Sequence, residues 1–123
     1  MFNKEKYGKI LVPLVTPFKE DQSVDYEAAV SIAEKLIKDN QADSLVLSGT
    51  TGEFFTTSFE ERVKLFQVIK ETVGNKIPLI AGVGCASTIE TMTLAKKAEE
   101  LDYTTAMIVS PYYTKPTQPD RAL

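Results

Sequence analysis

Four short apolar runs recur roughly every 30 residues, and the first three are each followed by a one-sided helical pattern, the spacing a βα unit requires. The runs are Ile10-Leu11-Val12 with Leu14-Val15, Ser44-Leu45-Val46-Leu47, Ile77-Pro78-Leu79-Ile80-Ala81, and Thr105-Ala106-Met107-Ile108-Val109. Short buried strands alternating with helices predict a parallel sheet covered by helices. Two α/β architectures satisfy that pattern: a small doubly wound sheet, or the first half of an eight-fold βα barrel.

The helices announce their ends. Asp25 or Ser23 is placed to cap a first helix whose apolar positions Ala29, Ile32, Ala33, Leu36 and Ile37 share one face, with Asp39-Asn40 ending it. Ser58 with Glu61, and Ser87 with Glu90, each have the spacing of a capping box. Phe59 to Val73 follows the first box, with Leu65, Phe66, Ile69 and Val73 as its buried stripe and Gly74-Asn75 as its stop. The second box opens a helix with Met92, Ala95, Ala98 and Leu101 expected on its inner face. Pro13 interrupts the first strand and argues for an edge or a bulge there.

Ligands of α/β proteins gather beyond the carboxyl ends of parallel strands. Ser48-Gly49-Thr50-Thr51-Gly52-Glu53 leaves the second strand at such an end. Two glycines around two threonines make a tight turn with exposed amides, and the hydroxyls can donate to a small anion or pass a proton. Gly82-Val83-Gly84 follows the third strand and an aromatic stretch, Ser110-Pro111-Tyr112-Tyr113, the fourth.

Composition narrows the chemistry. The 123 residues, 43% hydrophobic, suffice for one core, and a formal net charge of −3 argues against nucleic acid or an anionic membrane surface as partner. No apolar run is long enough to span a membrane, and Met1-Phe2-Asn3-Lys4 does not begin a secretory signal. One cysteine, Cys85, cannot pair within the chain, which fits a reducing cytoplasm. There is no histidine, so triads, imidazole proton shuttles and the usual His-rich metal sites are excluded. Cys85 has no histidine to activate it and reads as a small buried residue. Glu53 reads as a partner for local amides rather than a general base, and Phe54, Phe55 and Phe59 as core or interface.

Val12-Pro13-Leu14-Val15-Thr16-Pro17-Phe18, Gly49-Thr50-Thr51-Gly52-Glu53, Ile77 through Gly84, and Pro111-Tyr112-Tyr113 stand in an order and spacing that resemble one group. That group is the dihydrodipicolinate synthase and N-acetylneuraminate lyase superfamily. The resemblance runs over roughly residues 8 to 120. It implies an α/β fold, the (β/α)8 TIM barrel, with residues 1–123 forming the N-terminal half: about the first four strands and three helices. The C-terminal half is expected to be absent.

The resemblance implies a cytoplasmic pyruvate-dependent class I aldolase or lyase that works through a lysine Schiff base, without metal or other cofactor, as a homo-oligomer. Its substrate would be pyruvate or a related 2-keto acid. The synthase branch, 4-hydroxy-tetrahydrodipicolinate synthase of lysine biosynthesis, is the preferred reading. A 2-keto-3-deoxy sugar acid aldolase, an N-acetylneuraminate lyase and a non-catalytic, self-associating half-barrel are the alternatives. By resemblance Thr50 is the threonine of a Tyr-Thr-Tyr proton relay, and Gly49, Thr50 and Thr51 bind the pyruvate carboxylate. Tyr113 completes the relay across a dimer interface in which Tyr112 also stacks.

Two departures qualify the resemblance. The imine-forming lysine and the second relay tyrosine belong to strands six and five, so residues 1–123 alone are expected to be inactive; Lys115 reads as a solvated surface residue and not as a substitute. The synthase branch also carries a lysine feedback pocket. Here Glu90 and Tyr112 match it, but Ala86 stands at its asparagine position and Phe54-Phe55 crowd it, so the pocket is expected to be lost.

Overall fold

The computed structural model describes residues 3–113. Four parallel strands, β1 (Leu11–Pro13), β2 (Ser44–Leu47), β3 (Leu79–Gly82) and β4 (Ala106–Met107), lie side by side in chain order. Helices α2 (Tyr26–Lys38), α3 (Phe59–Val73) and α4 (Thr88–Glu100) supply the crossovers, after a one-turn helix α1 (Lys4–Tyr7) that the sequence pattern did not reveal. A doubly wound sheet reverses direction and places helices on both faces. A sheet whose order never reverses, built with right-handed crossovers, keeps all of them on one face. That is half the circumference of a (β/α)8 barrel, and it removes the doubly wound alternative.

The helix ends form as their sequences dictate. The Asp25 side chain accepts from the Ala28 amide to start α2, and Ser58 and Glu61 complete the box at α3 from both sides. At α4 the Ser87 side chain accepts from the Glu90 amide at 3.3 Å. Met92 is 58% exposed, contrary to the sequence pattern, while Leu94 is fully buried. The stripe facing β3 and α3 is Leu94, Ala95, Ala98 and Leu101, which puts Met92 off its edge. Pro13 fits because β1 is an edge strand of the described sheet. Leu14 N–H donates to Val46 O at 2.8 Å, so by alternation the amide that proline lacks points away from β2.

The core fills the space between sheet and helices. Leu45, Leu47, Ala81 and Val83 meet Phe66, Ile69 and Leu94, and the small Ala29 and Ala33 let α2 come close. Val46 and Ile80 alternate to the other, concave face. The edges are less covered: Ile10, Val15, Met107 and Ile108 are all exposed. At the amino ends of the strands, Ser44 Oγ donates to Tyr7 O at 2.6 Å and the Tyr7 and Thr105 hydroxyls share a 2.5 Å hydrogen bond. These bonds seat α1 beneath the sheet, leaving the carboxyl ends open. Among the described residues no helix is long and apolar enough to cross a membrane.

Candidate functional site

The carboxyl ends of β2, β3 and β4 enclose an open cavity of about 260 Å³, lined by Ser48, Gly49, Thr50, Phe54, Gly82, Gly84 and Met107 through Val109. Two close approaches shape it. A Cβ on Gly82 would lie 2.5 Å from Leu47 O and closer still to Ser48 O, and one on Gly84 would lie 2.5 Å from Val109 Cγ1 and 2.9 Å from Val109 N. These glycines let the strand exits converge, because no side chain stands between them.

The turn after β2 is held at both ends. Ser48 and Glu53 adopt left-handed φ values of 51° and 52°, a conformation non-glycine residues rarely take and one that clusters at functional sites. Thr16 Oγ1 donates to Gly52 O at 2.7 Å in a buried contact from the segment after β1. Beyond it, Glu53 O accepts from Thr56 N and Oγ1, and Phe54 O accepts from the Thr57 hydroxyl.

Thr50 and Thr51 differ from these neighbours. Their amides and hydroxyls donate to nothing among the described residues; both are exposed, Thr50 lines the cavity and Thr51 follows it. Two successive amides with hydroxyls beside them suit a carboxylate. No charged side chain lines this cavity among the described residues. A bound anion would therefore be held by neutral donors.

Of the residues singled out in the sequence, Gly49 and Thr50 line the cavity and Thr51 sits next to them. Tyr113 does not line it; it is 97% exposed. Tyr112 packs edge-on to Phe54 with ring centroids 5.7 Å apart. The Glu53 carboxylate makes no hydrogen bond among the described residues, so its expected amide contacts are not formed. Cys85 is half-buried. Phe54 is buried and Phe59 packs against the core, but Phe55 is exposed. Lys115 lies outside the described residues.

Arg62 joins the site without a motif to announce it. It continues the apolar stripe of α3 one turn before Leu65 and Phe66, and it is 4% exposed without an acidic partner within ion-pair distance among the described residues. Its Nη2 donates to Gly82 O at 2.5 Å and its Nη1 to Gly84 O at 3.1 Å and Cys85 Sγ at 3.2 Å. The guanidinium carbon lies 5.4 Å from the Phe54 ring centroid, and Nε is buried without a partner. Burial pulls its pKa down, opposed by Cys85, Tyr112 and Glu90. A lone arginine on an apolar helical stripe was the available signal.

Behind Arg62 lies an outer cavity of about 250 Å³ lined by Phe54, Phe55, Phe59, Arg62, Ala86, Glu90 and Tyr112, among others. Phe54, Phe55 and Phe59 wall this space, with Ala86 at its edge. Among the described residues no three His, Cys, Asp or Glu side chains group as a metal donor set.

Known proteins share this fold. The family model described as the dihydrodipicolinate synthetase family matches residues 6–122. A 4-hydroxy-tetrahydrodipicolinate synthase of Halalkalibacterium halodurans is 41% identical over 111 residues, which are 90% of this chain and 37% of that protein. The N-acetylneuraminate lyase structure from Mycoplasma synoviae superposes with a TM-score of 0.88 at 31% identity, over 97% of this chain and 41% of the other. YagE, a prophage protein of the dihydrodipicolinic acid synthase family from E. coli K12 solved with pyruvate, gives 0.84 at 27% identity, over 90% and 37%. The chain thus spans well under half the length of these relatives. With a family match across nearly all its residues and a sheet that follows the first half of the relatives' barrel, the chain belongs to the dihydrodipicolinate synthetase family.

Proposed function

We propose that the Gly49-Thr50-Thr51 turn binds the carboxylate of pyruvate or a related 2-keto acid, in a lyase or aldolase of the 4-hydroxy-tetrahydrodipicolinate synthase type. The observation that carries this reading is the pair of adjacent threonines with unspent amides and hydroxyls at the mouth of a small uncharged cavity. The pyruvate held by YagE supports the substrate class. Identity of 41% to a synthase against 31% to a lyase favours the synthase branch.

In this reading an amine attacks the keto carbon, the carbonyl oxygen leaves as water, and an imine remains. The Thr50 hydroxyl relays the protons, together with Tyr113 from a neighbouring copy in a homo-oligomer, where Tyr112 stacks at the same contact. None of the described lysines lines the cavity. In this reading the amine is the lysine that the family resemblance assigns to the sixth strand of the barrel, and this segment alone forms no imine.

Borohydride reduction in the presence of pyruvate, read by peptide mass, tests the reading. The expected result is a stoichiometric adduct on one lysine outside residues 1–123 when the rest of the barrel is present, and none on this segment alone. An adduct on Lys115, or none in either case, would overturn it.

A further inference from the structure

A buried arginine with no acid within ion-pair distance among the described residues is costly, and here its contacts all converge on the wall of the candidate site. Gly82 and Gly84, whose carbonyls Arg62 holds, line the inner cavity, as does Phe54, whose ring lies over the guanidinium. Phe54 and Arg62 together also form a wall of the outer cavity. One planar group thus ties the exit of β3 to the turn after β2, from the side away from the ligand. Lysine, a point charge on a flexible stem, cannot bridge two carbonyls and a sulfur while also lying over the Phe54 ring.

We propose that Arg62 is a positioning residue for the inner cavity. It touches no ligand, and it fixes the separation of the Gly82–Gly84 and Gly49–Phe54 turns, and hence the affinity for the 2-keto acid. This deepens the proposed function and rests on it for the identity of the ligand. The contact to Cys85 Sγ supplies a second readout that does not.

The experiment compares wild type with R62K, R62M and R62A in the protein at its natural length. Pyruvate affinity is measured by calorimetry, alkylation of Cys85 by iodoacetamide is followed on its own peptide, and thermal unfolding confirms that each variant is folded. Losing hydrogen bonds from a buried charged group predicts about tenfold weaker pyruvate binding in R62A and R62M. Losing the cation beside the Cys85 sulfur, which favours the reactive thiolate, predicts about tenfold slower alkylation in both. R62K recovers neither fully. Millimolar methylguanidinium restores R62A in both assays, and methylammonium at equal concentration does not.

Folded variants with wild-type affinity and wild-type alkylation would overturn the proposal, as would equal rescue by both amines. If wild type itself fails to bind pyruvate, the functional reading falls, and alkylation with its selective rescue still decides the role of Arg62.

Discussion

The Thr16 hydroxyl donates to the carbonyl of Gly52 at 2.7 Å, a buried bond that joins the end of the first strand segment to the turn carrying Thr50 and Thr51. Thr16→Val keeps the shape and removes the donor, leaving the Gly52 carbonyl buried without this partner. The expected cost is about 1–3 kcal/mol. Thr16→Ser should lose much less. Urea unfolding midpoints of the two variants check this, and equal stability of Thr16→Val and wild type would contradict it.

Gly82 and Gly49 line the same cavity but differ in what a side chain would meet. At Gly82 it meets the backbone oxygens of Leu47 and Ser48, which cannot turn aside. At Gly49 it meets the Met107 Cε at 3.2 Å, the end of a flexible chain. Gly82→Ala should therefore destabilise by roughly 1–3 kcal/mol through overpacking, and Gly49→Ala should leave stability nearly unchanged while narrowing the cavity. Denaturation curves of both variants, measured side by side, test the contrast.

Much of this was legible in the chain. The Phe59–Val73 helix, its Ser58–Glu61 box and the Ser44–Leu47 strand stand where periodicity and capping chemistry put them. What escaped depends on contacts distant in sequence. The helix α1 has no apolar period to advertise it; it is seated by Ser44 and Thr105, 37 and 98 residues away from Tyr7. Arg62 stands out in the sequence only as a charge on the apolar stripe of α3; its role depends on the carbonyls of Gly82 and Gly84, 20 and 22 residues away. Met92 and Leu94 show the limit of a four-residue stripe: Ala95, Ala98 and Leu101 pack inward as the period predicts, and only the first member is exchanged, Leu94 for Met92.

Asp43 accepts hydrogen bonds from the Lys9 and Ile10 amides at 2.7 and 2.8 Å, and these hold its pKa below the ordinary 3.8. A depressed carboxylate contributes stability that is fully present above its unfolded value and is lost as pH falls through the folded one. Asp43→Asn should therefore be less stable than wild type at neutral pH, with the gap closing below about pH 4. Urea midpoints across that range check the sign; a gap that widens in acid would contradict it.

Residues 1–123 expressed alone should not behave as a stable monomer. Both edge strands carry unpaired backbone groups that invite another strand. Ile10, Val15, Met107 and Ile108 lie along those edges at 53%, 45%, 40% and 64% exposure, each forfeiting about 1 kcal/mol of available burial. Sedimentation equilibrium at low micromolar concentration should show self-association or unfolding. A cooperatively folded monomer of 13.6 kDa would argue against the half-barrel account.

The central claim is that the Thr50–Thr51 turn is the carboxylate site for a 2-keto acid, and locating bound pyruvate in a crystal of the protein at its natural length tests it most directly. The account predicts the carboxylate within hydrogen-bonding distance of the Thr50 and Thr51 amides or hydroxyls, with the keto carbon facing the cavity between Gly49 and Met107. Pyruvate bound elsewhere, with this turn unengaged at saturating ligand, would contradict it.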